Sequence, residues 1–227
     1  MPLLHGEEIA VYEDHWHSAW KRGIAPNKAW DQNGPAALLA EFLKSTNIKL
    51  DGCVAFVPGC GRGWDAIELA RHGCSVTGLD LVPEAVEEAQ RTTSSVSQGG
   101  LKGGVEFHAG DFFKYRLDDS WVDVGYDCTF LCALQPHQFK DWAAAWAKAI
   151  KPGGHLITLQ FPLDTCEDGT KCPPWPMSKQ LYADLLTPHG FKNVHQTDTR
   201  KGCFTDRPGI AKKGHGGLEA LACWQKS

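Results

Sequence analysis

The sequence contains no uninterrupted apolar run near the roughly 20 residues that a membrane-spanning helix requires. It shows no secretory leader either: Met1 to Ala10 places Glu7 and Glu8 where such a leader carries positive charge followed by an apolar stretch. Basic residues are not in excess. The 23 Lys and Arg stand against 27 Asp and Glu, a formal charge of -4, so no general attraction to phosphate backbones or anionic lipid is expected. Neither nucleic acid nor a membrane is an expected partner. The nine cysteines include no C-x-x-C pair, and the spacings Cys53/Cys60, Cys128/Cys132 and Cys166/Cys172 fit neither a zinc finger nor a zinc ribbon. The ten histidines form no H-x-x-x-H or H-E-x-x-H pattern, so no metal is expected. An odd number of scattered thiols suits a reducing compartment, and a soluble cytoplasmic protein is the expectation. No internal repeat and no Pro/Gly/Ser linker divides the 227 residues, so a single domain acting as a monomer is expected.

What is present is a composition able to bury a core, 42% hydrophobic and 22% charged. Short apolar runs alternate with amphipathic stretches, the pattern of an α/β protein whose mostly parallel sheet carries helices on both faces. Cys53 to Pro58 reads as a buried first strand ending in Gly59-Cys60-Gly61-Arg62-Gly63. A helix follows over Asp65 to His72, with Gly73 placed to close it in a left-handed conformation. Cys74 to Leu79 forms the second strand, with Asp80 at its carboxyl end. Pro83 suits the first turn of the next helix, where Glu84, Glu87 and Glu88 complement the helix dipole and Glu87 pairs with Arg91. Thr92 to Gly104, rich in Ser, Thr and Gly, reads as an exposed loop. Further strands are expected at Val105 to Ala109, Tyr126 to Leu131 and His155 to Phe161. A helix carrying Phe139, Trp142, Trp146 and Ile150 on one face is stopped by Lys151-Pro152-Gly153-Gly154, and another runs from a Ser178 cap to Leu186. Val194 to Thr197 and Ala220 to Trp224 read as an antiparallel pair at the sheet edge, joined by a solvated loop.

In an open parallel sheet, ligands bind outside the carboxyl ends of the strands. Three features converge there. The glycine cluster lets backbone approach a ligand closely. Asp80, 21 positions after Gly59, sits at the tip of strand two, where a carboxylate can accept both hydroxyls of an adenosine ribose. Asp111 and Phe112, at the tip of strand three, are placed to bind the adenine amino group and cover its ring. Which nucleotide is bound stays open on these features. A third glycine in G-x-G-x-x-G would favour a dinucleotide, but from Gly59 that position is Trp64 and from Gly61 it is Ala66; no Walker lysine follows either.

The run Phe56 to Asp65, with Gly78-Leu79-Asp80, Phe130-Leu131-Cys132-Ala133-Leu134 and Lys151-Pro152-Gly153-Gly154, resembles the thiopurine S-methyltransferase superfamily, and within it the thiol and halide methyltransferases of plants and fungi. The resemblance extends from Trp16 to Trp224. It implies a class I S-adenosylmethionine-dependent methyltransferase of Rossmann-like fold, a seven-stranded sheet with an antiparallel last strand, and an N-terminal lid over residues 8–35. It further implies that Gly59 contacts the methionine part of the cofactor, Asp80 the ribose, and Asp111 and Phe112 the adenine, with Gly61 and Leu81 also among the cofactor-binding residues. Trp16, Trp20 and Trp30 look like the family tryptophans that close over the cofactor, with a short insertion around Asn27-Lys28-Ala29 between the last two. Cys128 takes the place of a tyrosine that plant relatives carry near the cofactor, and Trp175 that of a tyrosine on the substrate side.

Physical chemistry accords with these roles. A sulfonium is a cation, which an indole face attracts by roughly 0.5 to 2 kcal/mol. Trp16 and Trp20, one helical turn apart, would present such faces. Methyl transfer is an in-line displacement whose acceleration comes from alignment in a dry pocket. A thiolate or halide acceptor needs no proton removed, so no catalytic base is assigned; Asp31, His137 and His17 are candidates on residue type alone. The expected activity is methylation of a small thiol or a halide. Other readings are a methyltransferase for a specific secondary metabolite, acting at sulfur or nitrogen, and a non-catalytic cofactor-binding module.

Overall fold

The computed structural model describes residues 15–24, 30–96, 100–116, 120–163, 173–202 and 217–227. The strands are β1 (Val54–Pro58), β2 (Ser75–Asp80), β3 (Val105–Ala109), β4 (Val122–Cys128), β5 (Ile150–Gln160), β6 (Phe191–Gln196), β7 (Arg200–Lys201) and β8 (Leu218–Lys226). The helices are α1 (15–21), α2 (Ala37–Ser45), α3 (Trp64–Arg71), α4 (Pro83–Ser95), α5 (Phe139–Ala149) and α6 (Lys179–Leu186). Strand order is β3-β2-β1-β4-β5-β8-β6, with the two-residue β7 pairing off this path onto β8. The first five strands are parallel; β8 runs antiparallel to both β5 and β6. Strand order reverses at the β1/β4 seam, the place where an open α/β sheet forms its ligand crevice.

The central strands are near-continuous apolar runs because helices cover both of their faces. Alternation along β4 shows the two sides directly. Asp127 points to α5, where its Oδ2 accepts the Trp142 indole N–H at 2.8 Å, whereas Tyr126 and Cys128 point to Asp65 on α3. Trp142, Trp146, Tyr126 and Phe56 are fully buried. The Phe56 ring lies 5.2 to 6.1 Å from those of Trp121, Trp146, Tyr115 and Phe112. Edge strand β6 differs: only Phe191 is buried, Val194 is 48% exposed, and the register with β8 shifts between Asn193 and His195.

Most expected elements stand close to their expected bounds, but β6 starts at Phe191 rather than Val194, β7 lies in the stretch expected to be a loop, and three others differ. Strand β4 starts at Val122 and stops at Cys128, since Thr129 adopts a left-handed conformation (φ 56°) and Leu131–Ala133 coils into a 3-10 turn. Helix α4 extends to Ser95 through the stretch expected to be a loop. The hydroxyls of Thr92, Thr93 and Ser94 bond the carbonyls four residues back at 2.9 Å each, so polar side chains that often break helices here follow the helical path. Strand β5 begins at Ile150, paired with Val122, so Lys151-Pro152-Gly153-Gly154 lies inside the strand rather than before it. Cys166, Cys172, Asn27-Lys28-Ala29 and the Lys212-Lys213 region fall outside the described residues. Among the described residues, no helix is long and apolar enough to cross a membrane.

Buried Asp127 ties β4 to α5 and also accepts the Leu131 N–H at 3.3 Å, fixing the turn that follows the strand. Burial pushes its carboxyl up to about 6 against those hydrogen bonds. Trp142→Phe keeps the ring packing but removes the indole donor. It is expected to lower unfolding free energy by about 1 to 3 kcal/mol. The reading is a lower urea midpoint at unchanged m value; an unmoved midpoint would show that Asp127 draws its support elsewhere.

Candidate active site

The carboxyl edge of the sheet begins with the turn after β1. Gly59, Gly61 and Gly63 all have positive φ (61°, 51° and 77°), which lets the chain reverse tightly into α3 without the penalty a Cβ would carry. Two of the three are also closely approached. A Cβ at Gly59 would lie 2.7 Å from the Phe130 ring, and one at Gly63 would lie 2.6 Å from Phe107. The turn is stitched to β2: Cys60 N–H donates to the Leu79 carbonyl and Gly61 N–H to Asp80 Oδ2, both at 3.0 Å. Asp80 Oδ1 accepts the Val82 N–H at 3.1 Å, so one carboxylate joins the glycine turn to the start of α4. Burial raises the Asp80 pKa to about 6, opposed by these amide hydrogen bonds and by the charge of His17. The Leu81 amide contributes a third such interaction, and since an ionised carboxylate has about four acceptor positions, some capacity remains.

The N-terminal tryptophans come to this same point. Trp16 and Trp30 meet edge-on with ring centroids 5.0 Å apart, and Trp20 and Trp30 at 6.2 Å. Trp20 is 6% exposed and packs with Ile24, Val82 and Ala85, while Trp16, Trp30 and Leu81 border that cluster. The Trp20 indole is also the nearest side chain to Gly61, 3.6 Å from where a Cβ would stand. Trp16, Trp20, Trp30, Gly61, Asp80 and Leu81 therefore form one group.

Phe130 links this group to the tip of β3. Its ring is 5.1 Å from that of Phe112, which is buried within the aromatic core, so Phe112 supports the crevice from below. Asp111 caps the short turn after β3 by accepting the Phe113 N–H at 2.9 Å and pairs with Lys114 at 2.9 Å. Cys128 is half-buried at the end of β4 against Asp65. Trp175 reaches the same edge, since its backbone N–H bonds the Cys132 carbonyl and Met177 N–H bonds the Pro162 carbonyl, each at 2.8 Å. The Trp175 indole N–H is buried with no hydrogen-bond partner among the described residues.

The three base candidates part company. Asp31 is buried and lies 3.6 Å from Arg62, His137 is exposed on the turn before α5, and His17 faces Asp80. Two residues not singled out in sequence also belong to the site. Arg62 contacts Asp31, Glu88 and the Ile24 carbonyl. Asp65 accepts the Ala36 N–H at 2.7 Å, capping α2 from a distance, and burial raises its pKa to about 6. The only sequence signal for either was its place next to the glycines. Burial pushes the Cys60 and Cys132 thiols well above the usual range, so neither is a standing thiolate. A separate cavity of about 750 Å³ opens at the other edge of the sheet beside Cys53, Asp123 and Lys151, where Asp123 is already held by Lys151 and the Val54 N–H.

A carboxylate with spare acceptor capacity next to a cluster of indoles suits a ligand that combines vicinal hydroxyls with a cationic centre. These are the features of S-adenosylmethionine, and the donor set fits it. Residues 11–210 match the thiopurine S-methyltransferase family. The chain is 32% identical over 212 residues to a probable thiol methyltransferase 2 of Arabidopsis thaliana, covering 93% of this chain and 84% of that protein. It is 33% identical to thiocyanate methyltransferase 1 of Brassica oleracea, covering 88% of each. Among solved structures, the fold superposes on the Burkholderia thailandensis 1,6-didemethyltoxoflavin-N1-methyltransferase with a TM-score of 0.66 at 21% identity, over 100% of this chain and 92% of that one. A structure described under the conversion of a disulfide bond into a thioacetal group during echinomycin biosynthesis gives a TM-score of 0.70 at 20% identity, over 95% and 93%.

The Asp80 carboxyl sets a pH dependence. In the unliganded protein it protonates as pH falls through about 6, and the protonated form presents fewer acceptors to a diol. Binding of S-adenosylhomocysteine, followed by calorimetry, is therefore expected to be constant above pH 7 and to weaken below about 6 by up to tenfold per pH unit. Asp80→Asn should bind at least about tenfold more weakly at pH 7.5 and lose this dependence. An unchanged profile in the variant would remove Asp80 from ligand binding.

Proposed function

Because the chain belongs to the thiopurine S-methyltransferase family, and is an S-adenosylmethionine-dependent methyltransferase, we propose that it methylates a small thiol, with iodide or bromide as side acceptors. The observation that carries this reading is the meeting of Trp16, Trp20 and Trp30 beside Asp80 and Gly61. The thiol class follows from the names of the plant relatives and from the character of the edge that faces the acceptor.

When bound, S-adenosylmethionine supplies a methyl group on a positively charged sulfur, which an aligned acceptor displaces in line. The protein's share of the work is placement. Asp80 and Leu81 hold the ribose end, Asp111 and the turn over Phe112 the adenine end, and the Gly59–Gly63 turn the methionine end. The tryptophans stabilise positive charge and exclude water. Cys128, at the end of β4, stands beside the cofactor, and Trp175 walls the acceptor side. No side chain is assigned as a base: Asp31 is engaged by Arg62, and a thiolate or halide arrives without a proton to lose. An aromatic, weakly hydrated wall strips water from a large soft anion at lower cost than from a small hard one. That favours sulfur and heavy halides over hydroxyl acceptors. The Trp175 indole N–H, buried without a partner among the described residues, gives the wall one donor with which to meet an anion.

Incubation with methyl-labelled cofactor and a panel of aliphatic and aromatic thiols, hydrosulfide, thiocyanate, iodide and bromide is expected to yield methyl thioethers first and methyl halides more slowly, identified by mass spectrometry. Tight cofactor binding with no thiol product would sink the proposal, and a product methylated at nitrogen would redirect it to a specific metabolite. Trp175→Ala should raise the acceptor KM about tenfold while leaving the cofactor KM unchanged.

A further inference from the structure

Helix α1 carries Trp16 and Trp20. Its tryptophans are held in place by what the segment touches. On the apolar side Trp20 and Ile24 pack on Val82 and Ala85. On the polar side one residue of the glycine turn, Arg62, meets the segment twice: its guanidinium donates to the Ile24 carbonyl, just after α1, and its Nε lies 3.6 Å from the Asp31 carboxylate, just after Trp30. The same side chain pairs with Glu88 on α4. Arg62 is 14% exposed and Asp31 4%, so the pair is shielded from the screening that weakens surface ion pairs.

We propose that Arg62 is a positioning residue for methyl transfer: from within the cofactor-binding turn it contacts the chain just after Trp20's helix and again just after Trp30, and so sets the indoles of Trp20 and Trp30 over the sulfonium. The inference rests on the methyltransferase reading above. Gly61 and Arg62 are consecutive. Gly61 bonds Asp80 and lies under Trp20, and Arg62 holds the polar ends of the segment that carries Trp20 and Trp30. Arginine suits the task because its planar fork holds several donors in fixed directions: one terminal nitrogen bonds the Ile24 carbonyl, the other bonds Glu88, and the Nε edge makes an ion pair with Asp31 without a hydrogen bond. A lysine ammonium at this position keeps the charge but cannot span all three partners.

The test separates positioning from plain stabilisation by comparing a cationic ligand with a neutral one of nearly equal shape. Binding of S-adenosylmethionine and S-adenosylhomocysteine is measured by calorimetry, without acceptor, for the wild type and for Arg62→Lys, Arg62→Gln, Asp31→Asn and Trp20→Leu. Indole faces act on the sulfonium and not on the thioether, so the Arg62 and Asp31 variants are expected to lower the sulfonium-over-thioether affinity ratio about three- to tenfold relative to the wild type. Trp20→Leu should do the same, and Arg62→Lys/Trp20→Leu should be no worse than Trp20→Leu alone, because both changes break one device. Arg62→Lys and Asp31→Asn guard against loss of folding in Arg62→Gln. A wild-type ratio in Arg62→Lys and Asp31→Asn, with both ligands weakened equally or not at all, would overturn the inference, as would additive effects in the double variant. Failure of the wild type to bind either ligand would bring down the cofactor reading itself, and the inference with it.

Discussion

The carboxyl edge of this sheet depends on one buried carboxylate. Asp80 receives the amide of Gly61 from the turn after β1 and that of Val82 from the entry to α4, so two loops that leave neighbouring strands are fixed to each other through its two oxygens. The three left-handed glycines make that approach possible, and the approach in turn gives Trp20 a flat surface to cover. Burial works against the charge that this junction uses. The Asp80 pKa moves up to about 6 despite the amide bonds, which leaves the group ionised at neutral pH with little to spare. The same balance recurs at half-buried Asp65 and fully buried Asp127, each raised to about 6 and each joining a helix to the ligand edge. The crevice is thus built by acids whose ionisation is sustained by a few donors apiece.

The parts legible in the sequence were those that depend on local pattern. Strand β1 is a continuous apolar run, Ser178 caps α6 through its own hydroxyl, and the glycine turn and Asp80 stand together at the switch point of the sheet. Motif resemblance added the tryptophans, which composition alone would have left as core residues; the structure joins all three to the Asp80 group. The parts that escaped are pairings between distant residues. Arg62 meets Glu88 across 26 positions and Ile24 across 38, Asp65 caps Ala36 across 29, and Asp127 finds Trp142 across 15. No periodicity reveals such partners. The ends of α4 and of β4 differ from expectation for a related reason: Ser and Thr hydroxyls can satisfy a helix as readily as leave it, and a left-handed Thr129 ends a strand without a glycine or proline to announce it.

The thiols also separate by environment. Cys60 and Cys132 lie within the site region, yet burial keeps both protonated, so they fill space beside a methyl-donor pocket without competing as nucleophiles. An enzyme that handles soft nucleophiles needs its own sulfur atoms kept unreactive, and a dry apolar setting achieves this with no added charge.

The outer border of the sheet has a different consequence. A strand on such a border offers a row of unpaired amides and carbonyls, on which a second chain can add its own strand. Strand β6 presents Lys192, Asn193, His195 and Gln196 there, leaves Val194 as a lone apolar residue, and loses its regular register at Asn193 and His195. A charged, kinked ribbon of this kind gives an incoming strand neither a straight template nor a greasy face. The molecule can therefore keep a long, strongly apolar sheet in its interior and still resist sheet-to-sheet growth into fibres at the border where growth would otherwise begin.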